Sequence, residues 1–411
     1  MPFALFKTKP LPPLAPVSRF TRKLSVIEYY HASVGISGQT VEIPRENGIV
    51  LEGEGQLSME QWRAALDAAA AANPGARLRL HGDCWWARWD SDGPMPGLRL
   101  IENCEWDAHS DRGVEVLYAT KLDLRAGPTV ELVVIPRPDN RTTLVLRSHH
   151  AVMDGMGSVH FYQEMFRALR GEPLLGTNGS FADVELMLST GVSESTSRHI
   201  KTDSVTGAPS GPEVGDVWRR VQLGKPLKNQ MARVAEAIAE FMQQKTELPA
   251  LIGIPVDMRR HAPGLLSTAN FANMLLVPIR KGEGAEQFRL RLKEMLDRKM
   301  EAYYPRILGI FKIFPLAWLD KMMGRTPKNY LKRKPMETVA LSNLGKFDPR
   351  PLLAPGFTPT SLLGIPIRGS ACVGLVCIGE QVEMTVGLTK ERASEGRFDA
   401  LIEFMKKRLA E

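Results

Sequence analysis

The stretch RSHHAVMDGMG, Arg147 to Gly157, places His149 and His150 side by side ahead of Asp154 and Gly155, in a chain with eight histidines among 411 residues. Composition alone produces such a pair in roughly one shuffled chain in six, so the surroundings must supply the case. An imidazole exchanges protons near neutral pH. A histidine in a cleft can therefore take a proton from an alcohol, amine or thiol as that atom attacks a carbonyl. Neighbours on an extended segment point to opposite sides, so only one of the two can face a given substrate. Asp154 can bind an arginine or orient the loop, and Gly155 permits a tight turn and lets its N–H approach an oxyanion. Two duller uses of the pair stay open at this level. The histidines can be hydrogen-bonded structural residues beside a turn, or metal ligands, although no third ligand stands at useful spacing and HExxH is absent. There is also no GxSxG elbow, no GxxxxGK[ST] phosphate loop and no GxGxxG after a strand.

The elements around the pair give it a setting. TVELVVI and TTLVLRS read as a hairpin across PRPDNR, and MGSVHFYQEMFRALRGEP as a helix stopped by Gly171 and Pro173, so the pair lies between a strand and a helix. Such strand-end loops are where a rigid scaffold presents reactive side chains. Upstream, Ser58 and Gln61 form a capping-box pattern that opens an alanine-rich helix ended by Asn73-Pro74-Gly75. ARLRL and CWWARW then read as two strands across a short turn. Residues 176–212 turn polar and are expected to be a linker between lobes spanning 1–175 and 213–411. The second lobe runs through the helix KNQMARVAEAIAEFMQQK, strands ALIGIPV and NMLLVPI, a helix after Gly284, strands ACVGLVCIG and VEMTVGL, and a closing helix, EGRFDALIEFMKKRLA. Strands and helices in both halves predict an α/β (α+β) protein of two lobes.

Composition narrows the partners. The net charge of +7 is mild and its basic residues are dispersed, which argues against nucleic acid and leaves anionic small molecules or an acidic carrier protein. Cys84, Cys104, Cys372 and Cys377 show no CxxC or framework spacing, as expected of reduced thiols in a cytoplasmic protein. The proline-broken N-terminus does not read as a signal peptide, and no apolar run is long enough to span a membrane. YYPRILGIFKIFPLAWLDKMMGR, Tyr303 to Arg325, mixes aromatic, aliphatic and basic residues. It reads either as a buried helix pair broken at Pro315 or as a surface that meets a long acyl chain or a membrane.

HHAVMDG, His149 to Gly155, has the HHxxxDG form of the CoA-dependent acyltransferase superfamily, which includes chloramphenicol acetyltransferase, wax ester synthases and peptide-synthetase condensation domains. The chain resembles the monomeric members over nearly its whole length. The DFGWG sequence of plant BAHD enzymes is absent, which places it nearer the bacterial acyltransferase and condensation-like branch. The resemblance implies two chloramphenicol-acetyltransferase-like lobes, each a mixed sheet flanked by helices, forming a pseudo-dimeric monomer with a channel between them. It implies acyl transfer from an acyl-CoA or carrier-protein thioester to a hydroxyl or amine, in secondary-metabolite or lipid biosynthesis, with no tightly bound cofactor and no metal. His150 would be the general base, His149 a supporting residue, Gly155 N–H an oxyanion donor, and Asp154 a structural partner of Arg259, with Arg260 the fallback. Ser342 or Asn343, in ALSNLGKFDP, would hydrogen-bond the oxyanion or the acceptor. The alternative is a noncatalytic condensation-like module that docks carrier proteins.

Overall fold

The computed structural model describes residues 10–38, 45–192, 200–304, 306–322 and 335–410. Three sheets carry the fold among them. A small antiparallel sheet joins β1 (Thr21–Lys23), β4 (Arg88–Asp90) and β3 (Arg79–His81). The second sheet has the order β12-β2-β7-β6-β5, from β2 (Glu46–Glu54), β5 (Gly97–Leu100), β6 (Val130–Arg137), β7 (Arg141–His149) and β12 (Thr358–Ile365). The third has the order β10-β9-β11-β13-β14-β8, from β8 (Asp216–Gly224), β9 (Ala250–Asp257), β10 (Ala272–Ile279), β11 (Val339–Lys346), β13 (Cys372–Ile378) and β14 (Gln381–Thr389). Both larger sheets are mixed: β5 pairs parallel to β6, and β11 runs parallel to β9 and β13, while their remaining pairings are antiparallel. Helices flank them: α1 (Val26–Ser33), α2 (Met59–Ala72), α3 (Gly155–Leu169), α4 (Asp183–Thr190), α5 (Gln230–Gln243), α6 (Ala285–Asp297), α7 (Leu316–Met322) and α8 (Arg397–Ala410). No described helix is long and apolar enough to cross a membrane.

Local chemistry explains most of these elements. The β6–β7 hairpin turns at Asp139 and Asn140, both at positive φ, where short polar side chains tolerate the left-handed region that matches strand twist. Ser58 and Gln61 close their capping box at the start of α2, and Ser25 and Glu28 do the same for α1. Alternation along β7 sends Leu144 and Leu146 into the core under α2 and α3, and Val145 into a second cluster with Trp106 and Trp218.

Several expectations need correction. CWWARW is not one strand: Asp83 accepts from the Cys84 N–H at 2.8 Å and starts a 3₁₀ turn over Cys84–Trp86, which leaves only Arg88–Asp90 as strand. Aromatic strand propensity loses there to a local cap. Residues 176–212 are not simply a polar connector, because α4 lies within them and buries Leu186 and Met187 with Phe181 against Met258 and Phe271. A helix of two turns is too short to show a period. β12, from the second half of the chain, closes the edge of the first-half sheet by pairing with β2.

Candidate functional site

The last residue of β7 is His149, paired with Glu46, and His150 extends the ladder by donating its N–H to the Arg45 carbonyl at 2.9 Å. Arg147, two residues back, is buried and bonded to Glu46, Glu131 and Thr120, which fixes the strand end. The chain then turns through Ala151–Met153 into α3, whose N-cap is Asp154. The two histidines part company at this turn. His149 is 2% exposed, and its Nδ1 accepts from the Ala151 N–H at 3.1 Å. His150 keeps partial exposure.

Burial, followed by the neighbouring His150, pushes the His149 imidazole down to about 3. Burial and the Arg45 cation push His150 down to about 4, against the pull of Asp154 and of the Met153 and His150 carbonyls. Both rings are therefore neutral at neutral pH.

Asp154 is the hub of the loop. Its Oδ1 accepts from Gly157 N–H at 2.5 Å and its Oδ2 from Phe271 N–H at 2.7 Å. Arg259, on the turn after β9, reaches the same carboxylate with two nitrogens at 3.0 and 3.2 Å. Arg259 also donates to the Ser267 and Ala269 carbonyls and to Asp257, and lies over the Phe271 ring. A planar fork with five donors can do all of this at once. Arg260 instead faces Glu301, at 3.6 Å. Glycine is required at 157, where a Cβ would lie 2.2 Å from the Thr268 carbonyl oxygen. Gly155 differs: a Cβ there would meet no atom within 4 Å, so its position borders open space at the first turn of α3.

Four residues beside His150 escaped the sequence reading. Asn47 Nδ2 lies 3.2 Å from His150 Nδ1 and also donates to the Met153 carbonyl. Asn270 Nδ2 lies 3.4 Å from the same Nδ1 and donates to the His150 carbonyl at 2.8 Å, while its Oδ1 accepts from Ala272 N–H. Those backbone partners fix which end of each amide faces the ring. The His31 ring of α1 packs on His150 at 4.3 Å between centroids, and Arg45 lies over Tyr30 at 5.6 Å. Asn47-Gly48 reads locally as a turn, and Asn270 sits among apolar residues before β10. Neither carries a motif; only the contacts across the fold reveal them.

The remaining candidates are not brought to the ring. Ser342 and Asn343 lie on β11, and Asn343 Oδ1 accepts from Gly345 N–H at 2.9 Å in a local turn. No described contact joins either to His150. A cavity of about 400 Å³ lies between the halves, lined by Asp111, Tyr118, Asp216, Trp218, Arg368 and Lys390, and no motif residue lines it. Among the described residues no cluster of three His, Cys, Asp or Glu side chains could hold a metal ion.

No family model matches the chain. Two uncharacterized proteins of Mycobacterium tuberculosis, from strains CDC 1551 / Oshkosh and ATCC 25618 / H37Rv, are each 27% identical to it over 410 residues, covering 84% of this chain and 91% of theirs. Among solved structures, the starter condensation domain of rhizomide synthetase, as a mutant in complex with C8-CoA and Leu-SNAC, matches with a TM-score of 0.67 at 14% identity over 95% of both chains. The condensation domain of Monacolin K polyketide synthase gives 0.66 at 15% identity, over 96% of this chain and 98% of that one. The first condensation domain of the calcium-dependent antibiotic synthetase, in complex with a substrate analogue, gives 0.66 at 16% identity over 96% of both. At these identities the likeness is one of fold: the chain has the two-lobed α+β fold of condensation domains.

Proposed function

We propose that the protein is an acyltransferase that moves an acyl group from a CoA or carrier-protein thioester to a hydroxyl or amine, with His150 handling the proton. The observation that carries this reading is the ring itself. It is neutral, partly exposed, held between Asn47 and Asn270, and set at the foot of α3 beside the open space at Gly155. Donor and acceptor would meet there through a channel between the lobes. The C8-CoA held by the rhizomide domain supplies the first donor to try.

In the proposed reaction the acceptor O–H or N–H yields its proton to His150 as its heavy atom bonds to the thioester carbonyl carbon. Gly155 N–H, the first of α3 and without a partner among the described residues, would hold the oxyanion. Collapse breaks the C–S bond, and the imidazolium returns the proton to the departing thiolate. The ion pair of Asp154 and Arg259 positions the loop and takes no part in proton transfer. Transfer is direct, so no acyl-enzyme forms and proximity supplies much of the rate.

One contact favours a second reading of the same ring. Uptake of a proton at Nε2 needs the resting hydrogen on Nδ1. The amide nitrogens of Asn47 and Asn270 favour the other tautomer, in which Nε2–H donates to the acceptor or the oxyanion. Nitrogen-15 imidazole shifts of His150 separate the two forms.

The test of the function is acceptor-dependent release of free thiol from a panel of acyl-CoA and carrier-bound thioesters, offered with alcohols and amines. Release with matching ester or amide formation supports transfer. If no thioester is consumed with any acceptor, the docking-module reading takes its place. A stoichiometric acyl group trapped on a serine or cysteine would overturn the direct mechanism.

A further inference from the structure

Two segments that pack on α1, residues 306–313 and α7, carry an apolar surface that the proposed reaction does not use. Residues 306–313 form a 3₁₀ helix, which has three residues per turn, so Ile307, Ile310 and Ile313 fall in one row. That row points outward: the three are 73%, 48% and 50% exposed. Trp318 and Met322 of α7 and Trp85 and Trp86 of the Cys84–Trp86 turn are exposed as well, with Trp86 at 77%. A Cβ built at Gly309 would lie 4.0 Å from the Trp85 ring, and Phe314 stacks on Trp318 at 4.1 Å, so the two segments make one surface.

This surface is built, not frayed. Asp83 Oδ1 accepts from the Leu316 N–H at 2.9 Å, and Tyr29 Oη lies 2.7 Å from both Asp83 Oδ1 and the Phe314 carbonyl oxygen, with one hydrogen to give to either. Lys312, between the outward isoleucines, turns inward and donates to the Leu24 carbonyl at 2.5 Å. Asp320 is buried and accepts from Gly35 and Ser37. Exposed tryptophan and isoleucine held in place at this density cost solubility and mark an interaction surface.

Charge selects the partner. Lys23 lies over the Trp86 ring at 5.8 Å, Lys321 is exposed beside Met322, and the exposed Arg125 neutralises Asp83 at 3.6 Å. Aliphatic side chains, rim tryptophans and cations of one sign are the combination that lies in the interface of an anionic bilayer.

We infer that this face docks the protein on the surface of an anionic lipid membrane. The inference stands on the surface alone and does not depend on the proposed reaction. α1 joins the two places, because it packs on the 3₁₀ helix and α7 and presents His31 to His150.

The test is cosedimentation of the full chain with vesicles of mixed phosphatidylglycerol and phosphatidylcholine, or of phosphatidylcholine alone, together with tryptophan emission. Trp62, Trp89, Trp106 and Trp218 are buried, so a blue shift and quenching by brominated lipid chains report Trp85, Trp86 and Trp318. The expected result is binding to the mixed vesicles, weaker binding to phosphatidylcholine, and quenching. The combined variant Trp86→Ser, Ile307→Ser and Ile310→Ser should lower the partition by roughly tenfold or more, with unchanged melting. If that variant melts early, quenching of the unaltered protein decides alone. Absence of vesicle binding overturns the inference. So does equal binding by a well-folded variant, or self-association that the variant abolishes without any lipid binding.

Discussion

Two arginines staple the halves of this molecule, and they do so to different ends. Arg220, on β8, donates to Glu52 of β2 at 2.7 Å, Glu383 of β14 at 2.5 Å and Ser361 of β12 at 2.9 Å, where the sheets meet. Arg259 grips Asp154 with equal economy but at the end of a strand, in a turn that also holds Gly157 and Phe271. Around Arg220 the polar groups serve one another. Around Arg259 they hold a loop whose next members, His150 and Gly155, keep an open side. The same device closes a seam in one place and aims a side chain in the other.

Breaking each staple separates these uses. Arg220→Ala strands the buried Glu383 carboxylate and should destabilise the fold by about 3–5 kcal/mol, and Asp154→Ala, which leaves the Gly157 and Phe271 N–H groups unpaired, should cost about 2–5 kcal/mol, both read by denaturant unfolding. Per folded molecule, only Asp154→Ala should lose activity. Equal activity in the two variants would erase the distinction. A double-mutant cycle on Asp154 and Arg259 sharpens it further, because residues in direct contact should couple by about 0.5–3 kcal/mol, whereas Asp154 and Arg220 should be additive.

A smaller effect is expected next to the ring. Asn270→Ala or Asn47→Ala removes a contact to the ring worth about 0.5–1.5 kcal/mol together with that amide's backbone bonds, and turnover should fall roughly tenfold. The diagnostic readout is the His150 tautomer and the pH profile, which a purely structural loss would leave alone.

The smallest expected effect is on pH. With His150 pushed down to about 4, the acid limb of kcat/KM should lie near that value, well below that of an ordinary histidine. Stability should follow the same sign. His149 and His150 bind protons more weakly folded than unfolded, so stability is full above about pH 6.5, the unperturbed value. It falls as the pH drops toward about 4 and about 3. His149→Asn should flatten part of that slope in acid-unfolding curves.

How much of this could be read in the chain depends on distance along it. The loop from Ser148 to Gly157 is local, so its motif, the flanking hairpin and α3 are all legible, whereas Arg259, 105 residues from Asp154, is reached only through the family resemblance. Asn47 and Asn270 belong to the same site, yet they stand 103 and 120 residues from His150 and have side chains common in turns. Likewise, β12 was unreadable as part of the first-half sheet, because its partner β2 lies some three hundred residues earlier. The isoleucine row at 307, 310 and 313 has the period of a 3₁₀ helix, which a search for 3.6-residue periodicity blurs.

The proposed reaction rests on the His150 imidazole handling the proton in direct acyl transfer. Its most direct test compares acceptor-dependent thiol release by the unaltered protein and by a folded His150→Ala variant on the same thioester and acceptor. The variant should lose about 10²–10⁴-fold of that rate. Equal rates from the two proteins would contradict it.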